Sequence, residues 1–431
     1  MMTRRSIIGA LAAVVVAGGL MAAPTAKADH TNVIDCYEDV GDPAPGQPSW
    51  ILADQNNRWC ASAHPRTSAT NPAYHAAAAA NVAQGQPTIG DPFRSFGRWT
   101  GVRGEQQAVT WSAGDGVVHD GALFGPLDAE DGPFPGVVVV CHVCELTGPI
   151  GLEAYAWAVQ TLAEHGYVVF FPHVGDPEGA TAATDWFVSV DNPWRDRLDA
   201  TRLGIAGHSG AAVVALTVGN TDERYDAVVG WDRARSADGL FARIAPRVPT
   251  MVQVADYFQN PNGVTPYEPQ VTRPVPAPGS KFTDFEAFPA AGIDAMQVAT
   301  RASTHGDWSG GAGAVQPLGG SLYGEAIATY YTLAWFDRYL YGATDKGVAD
   351  EALERLTTTA TFDDFSDVHQ IGAGFFDPIK AQRAGNVEAG NVPVTIGGLN
   401  VRNLLSWWYP SRYSLDTGDY ACADMRAGCP S

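Results

Sequence analysis

The spacing of hydrophobic positions changes several times along the middle of the chain, and each change marks an element. Residues 137–140 are four consecutive valines after Pro135-Gly136, the pattern of a strand buried on both faces. Over 152–165, Leu152, Tyr155, Ala156, Val159, Leu162 and Ala163 share one helical face, and Gly166 ends the predicted helix. Residues 167–171 form the next apolar strand, followed by short strands at 203–206, 227–229 and 251–254. An Ala/Val-rich helix follows Ser209, and a last amphipathic helix spans about 322–341. Strands alternating with helices predict an α/β fold with a mostly parallel central sheet covered by helices on both faces. Sheets of this kind bind ligands at the carboxyl ends of their strands.

The flanks read differently. The first 28 residues place Arg4 and Arg5 before an apolar run and end on Ala26-Lys27-Ala28, a signal peptide with a small-x-small cleavage site. Thr3-Arg4-Arg5 admits twin-arginine as well as general export. The expected mature protein is therefore secreted, with no stable membrane insertion. Residues 29–104 form an N-terminal extension rich in Pro, Asn and Gly, and 346–431 a C-terminal one containing Trp407-Trp408. The middle that carries the strand–helix alternation spans 105–345, with a proline-rich loop at 261–280.

Composition narrows the function classes. Of 431 residues, 47 are acidic and 27 basic, for a net charge of −20, and loss of the leader removes three more bases. Nucleic-acid binding needs clustered cations and is not expected. Export makes the six cysteines disulfide candidates, with Cys36 near Cys60 and Cys422 near Cys429. Cys141-His142-Val143-Cys144 at the end of the valine strand invites a zinc or redox reading. Neighbours on a strand end point opposite ways, and such redox pairs usually open a helix, so a disulfide or two buried thiols fits better.

The chemistry-bearing motif is Gly207-His208-Ser209-Gly210-Ala211, at the junction of the 203–206 strand and the following helix. So tight a turn needs small flanking residues and presents the serine hydroxyl above the sheet. A serine hydroxyl needs a base, normally histidine, oriented by a carboxylate. In sheets of this type the order is serine, acid, histidine. Only His305 and His369 follow Ser209, and His305, in a polar loop before the last helix, is the expected base. Asp232 and Asp256 both close predicted strands, and strand order alone favours Asp256. The oxyanion donors are expected to be the backbone N–H groups of Gly210 and Cys144. No metal or cofactor is required.

The stretch 199–209, Asp-Ala-Thr-Arg-Leu-Gly-Ile-Ala-Gly-His-Ser, resembles the strand and elbow of secreted α/β-hydrolases in the platelet-activating-factor acetylhydrolase and bacterial cutinase/polyester-hydrolase group, which is dienelactone-hydrolase-like. Residues 330–336 and 162–169 are similar to that group's last helix and to its helix–strand step after the oxyanion loop. Asp256-Tyr257-Phe258-Gln259-Asn260-Pro261 looks most like the acetylhydrolase branch. That resemblance implies Asp232 as the acid, with Asp256 in reserve. The chain departs from the group at Ala211, at Val143 and in both extensions.

The expected function is an exported carboxylester hydrolase with a Ser209–His305–Asp232 triad, acting on a small-molecule, lipid or polymeric ester. The alternatives are a serine peptidase on the same fold and a non-catalytic binding protein on that scaffold. Acyl length, leaving group and oligomeric state are not legible.

Overall fold

The computed structural model describes residues 105–112, 116–126, 132–142, 144, 149–233, 244–257, 283–309, 322–357, 409 and 411–421. The leader, the N-terminal extension with Cys36 and Cys60, the 261–280 loop, His369, Trp407-Trp408, Cys422 and Cys429 lie outside the described residues.

Ten strands form one sheet. They are β1 (Glu105–Ser112), β2 (Val118–Gly125), β3 (Phe134–Val140), β4 (Val168–Phe171), β5 (Leu198–His208), β6 (Tyr225–Trp231), β7 (Thr250–Tyr257), β8 (Ala295–Thr304), β9 (Arg412–Leu415) and β10 (Gly418–Ala421). Their order is β1-β2-β4-β3-β5-β6-β7-β8-β9-β10. The six strands from β4 to β8 run parallel. The two flanks, β1-β2 and β9-β10, are antiparallel hairpins joined antiparallel to β4 and β8. The expected mostly parallel sheet therefore holds for the centre, and the sheet as a whole is mixed. From β3 to β6 the parallel strands are linked by crossovers through helices, whereas the hairpins need only short turns.

Helices cover both faces. The principal ones are α1 (Pro149–Glu164), α2 (Pro177–Val188), α3 (Gly210–Thr221), α4 (Leu322–Phe336) and α5 (Lys346–Thr357). The unbroken valines of β3 are explained by this sandwich. Val137 and Val139 join a core with α1, α4 and Leu356, while Val138 and Val140 join a second core with α2 and α3. Strand pleating sends successive side chains to opposite faces, so only an all-apolar run can fill both layers. Phe134 to Val140 are accordingly all buried.

Helix α2 was not foreseen, although Asp176 caps it by accepting the Gly179 N–H and Pro177 occupies its first turn. At the other end of the sheet, β9 pairs with β8 through Ala295–Ser414, Met296–Tyr413 and Gln297–Arg412. Ser411 extends that edge, its hydroxyl accepting the Ala299 N–H and donating to the Ala299 carbonyl. Parts of the expected C-terminal extension thus belong to the same sheet and core.

Helix α3 lies very close to the sheet at Gly219. A methyl there would sit 2.2 Å from Val228 Cγ2 and 2.9 Å from Ile205 Cγ2. Alanine normally favours a helix over glycine by about 1 kcal/mol, but overpacking a tight core costs about 1–3 kcal/mol. Gly219→Ala is expected to be net destabilising, measured as a lower urea midpoint with unchanged slope.

Candidate active site

The sharpest backbone feature lies between β5 and α3. Ser209 has φ 61° and ψ −121°, on the positive-φ side of backbone space that residues with a Cβ avoid. Such a residue costs on the order of 1–3 kcal/mol and persists only where its surroundings fix it. Here the Ser209 N–H is held by the Trp231 carbonyl at 3.0 Å, and α3 begins immediately after. A Cβ on Gly207 would lie 2.4 Å from the Ala211 carbonyl oxygen, so the turn closes only with glycine there. Ala211, in place of the second glycine, is accommodated with its methyl fully buried.

The turn brings three expected residues together. Ser209 Oγ lies 2.8 Å from His305 Nε2, and His305 Nδ1 lies 2.6 Å from Asp232 Oδ2. Asp232 is fully buried and His305 nearly so, whereas Ser209 is half-buried at the rim. An ionised carboxylate only accepts hydrogen bonds, so His305 must donate from Nδ1. That tautomer leaves the Nε2 lone pair to receive the Ser209 proton. The other carboxylate oxygen, Oδ1, accepts the Ala255 N–H at 2.8 Å, which fixes the rotation of the group.

Each residue is placed by the end of a strand. Asp232 follows β6 with φ 37°, and its N–H donates to the Gln253 carbonyl at 2.7 Å. His305 follows β8 and opens a single 3-10 turn to Trp308. Asp256, the reserve acid, lies on β7, and its side chain is outside the described residues. It is Asp232, on the neighbouring strand, that meets the imidazole.

The loop after β3 carries the other expected parts. Cys141 and Cys144 form the expected disulfide, a covalent clasp at the strand end. Cys141 N–H donates to the Val174 carbonyl at 3.0 Å, and His142 Nδ1 donates to the Gly175 carbonyl at 3.1 Å. The His142 ring lies against the start of α3, with Cδ2 only 2.8 Å from where a Gly210 Cβ would be. Gly210 therefore admits the ring, and its N–H is one of the first-turn donors that have no acceptor within their own helix. The structure thus brings the loop to Gly210 through His142, a residue the sequence reading weighed only as a metal ligand. Val143 lies outside the described residues.

Sequence reasoning also missed the layer behind the histidine. The His208 ring is 4.5 Å from that of His305 and is buried, with Nδ1 3.0 Å from the Tyr155 hydroxyl. Burial raises the Tyr155 pKa well above its ordinary value, so it stands as a neutral hydroxyl. The one available signal was a polar residue closing the apolar second half of β5, residues 203–208. Among the described residues no group of His, Cys, Asp and Glu could hold a metal ion, and no helix is long and apolar enough to cross a membrane.

Comparison with protein-family models and with curated proteins finds no match to this chain.

Proposed function

We propose that this protein is an exported serine carboxylester hydrolase on an α/β-hydrolase fold, with Ser209 as nucleophile, His305 as general base and Asp232 as its orienting acid. The observation that carries the reading is the continuous line from Ser209 Oγ to His305 to Asp232, at 2.8 and 2.6 Å, built on a left-handed serine between strand and helix. A turn that strained has a ready explanation if it aims a nucleophile.

Ser209 Oγ attacks the ester carbonyl carbon as its proton passes to His305 Nε2. The carbonyl π electrons move to oxygen, and the resulting anion lies at the N-terminus of α3, where the Gly210 N–H and the helix dipole favour negative charge. Collapse of this intermediate breaks the bond to the alkoxide, which takes the proton from His305 and leaves as alcohol. Water then attacks the acyl carbon as its proton passes to His305 Nε2, and collapse of the second intermediate breaks the bond to Ser209 Oγ, which takes that proton back while the acyl group leaves as carboxylic acid. Throughout, Asp232 stays ionised and stabilises the imidazolium. The substrate class is a small-molecule, lipid or polymeric ester. The Cys141–Cys144 disulfide supports the export reading, because such bonds persist in oxidising compartments.

A fluorophosphonate probe tests the proposal. The folded protein is expected to be labelled once, at Ser209, and to hydrolyse nitrophenyl esters from a series of graded acyl length, while Ser209→Ala does neither. Folded wild-type protein that takes no label and turns over no ester in the series overturns the reading.

A further inference from the structure

Beneath the site, one uncharged polar side chain is enclosed in the apolar layer under α4. Gln253 on β7 is fully buried, in register with Trp231 of β6 and Val298 of β8. Its Oε1 accepts the indole N–H of Trp308 at 2.8 Å. Its Nε2 donates to the Ala328 carbonyl at 3.2 Å and to Thr332 Oγ1 at 3.1 Å, and that hydroxyl also accepts the Trp231 indole N–H at 3.0 Å. The amide has only one possible orientation. Turned over, it would set N–H against the indole N–H and oxygen against a carbonyl.

The residues tied together are those that carry the site. Trp231 directly precedes Asp232, and the Gln253 backbone carbonyl accepts the Asp232 N–H at 2.7 Å. Trp308 closes the turn that His305 opens, and its carbonyl accepts the Trp157 indole N–H at 3.2 Å. The same residue therefore grips the acid's arm by its main chain and the base's arm by its side chain. We infer that Gln253 is a positioning residue, acting through Trp308 to hold the His305 imidazole in register with Asp232 and Ser209.

Its kinetic consequence rests on the hydrolase reading above; its geometric one does not. Reacting groups must keep their places closely, and a shift of about 1 Å can lower a rate about 100-fold. Methionine matches glutamine in length but leaves the Trp308 N–H facing a thioether, a weak acceptor. In the full chain, Gln253→Met is expected to lower kcat roughly 10- to 100-fold, with KM little changed and rates expressed per fluorophosphonate-titrated site. Trp308→Phe, which removes the same hydrogen bond from the other side, is expected to give a similar loss, and the double variant to be no slower than either single one. The proton between His305 Nδ1 and Asp232, seen as a downfield NMR resonance absent from Asp232→Asn, is expected to shift or broaden in both single variants.

A Gln253→Met enzyme whose kcat per titrated site equals wild type overturns the inference, even if it is less stable. So does a double variant whose losses multiply. If Gln253→Met does not fold, Trp308→Phe decides alone by the same two readouts. If the wild type proves to have no esterase activity, the function proposal fails separately, and an unmoved downfield resonance in the variants is then what overturns the role of Gln253.

Discussion

Asp232→Asn is expected to lower kcat on any ester substrate about 10,000-fold while leaving the fold intact. The reason lies in the second hydrogen bond to that carboxylate. Ala255 N–H donates to Oδ1 at 2.8 Å, so in the variant the amide oxygen must stay at that place. The amide NH2 then faces His305 Nδ1, which can meet it only as an acceptor. The ring proton moves to Nε2, the atom 2.8 Å from Ser209 Oγ, and the base can no longer accept a proton from serine. Loss of the buried negative charge also withdraws the partner of the imidazolium. Asp256→Asn is the control and is expected to retain most turnover. Steady-state kinetics on the two variants, normalised to folded protein, decide the matter: an inactive Asp256→Asn beside an active Asp232→Asn reverses the assignment.

The largest expected effect on stability comes from a site far from the chemistry. Asp337, in the π-helical turn that ends α4, accepts from the Arg355 guanidinium at 2.6 Å on one oxygen and from the Tyr167 hydroxyl at 2.6 Å on the other. Both ionic side chains are only 1% exposed, so screening by water is small. Tyr330 hydroxyl also donates to the Arg355 carbonyl at 2.9 Å, which joins α5 to α4. Asp337→Asn leaves the Arg355 charge with only the more exposed Glu351 carboxylate, 4.0 Å from its Nε, and breaking a buried pair in this way costs about 3–5 kcal/mol. That is a large part of a typical domain's total stability, about 5–15 kcal/mol. Replacing both residues together, Asp337→Met with Arg355→Met, is expected to recover part of the loss, because two apolar groups need no compensation in the interior while the buried Tyr167 hydroxyl still loses this acceptor. Urea unfolding of the single and double variants measures both; a single variant within about 0.5 kcal/mol of wild type contradicts the argument.

How much of this was legible in the sequence depended on how local each signal is. The valines of β3 and the elbow around Ser209 are short patterns with one physical cause each, burial on two faces and a turn too tight for large side chains. His305 emerged by elimination, since chain order left only two histidines. The acid was not decided by pattern, because Trp231-Asp232 and Ala255-Asp256 both end buried strands. What distinguishes Asp232 is tertiary: a left-handed φ at its own position and a donor from the next strand. The outer hairpins stayed invisible for a similar reason. β1 alternates exposed and half-buried residues along much of its length, and β9 has only four residues, so neither carries a strong apolar run. Gln253 meets Trp308 and Thr332 at separations of 55 and 79 residues, which no local periodicity encodes.

The antiparallel hairpin beside β8 has a consequence for biosynthesis. Ala299 and Ser411 are 112 positions apart, so the strand leading to His305 leaves the ribosome well before its outer neighbour has been translated. During that interval its peptide groups face solvent on one side, able to template pairing with another nascent chain. The imidazole's own support is thus finished only once those further residues have been made, and a chaperone that delays compaction protects the polypeptide during that wait.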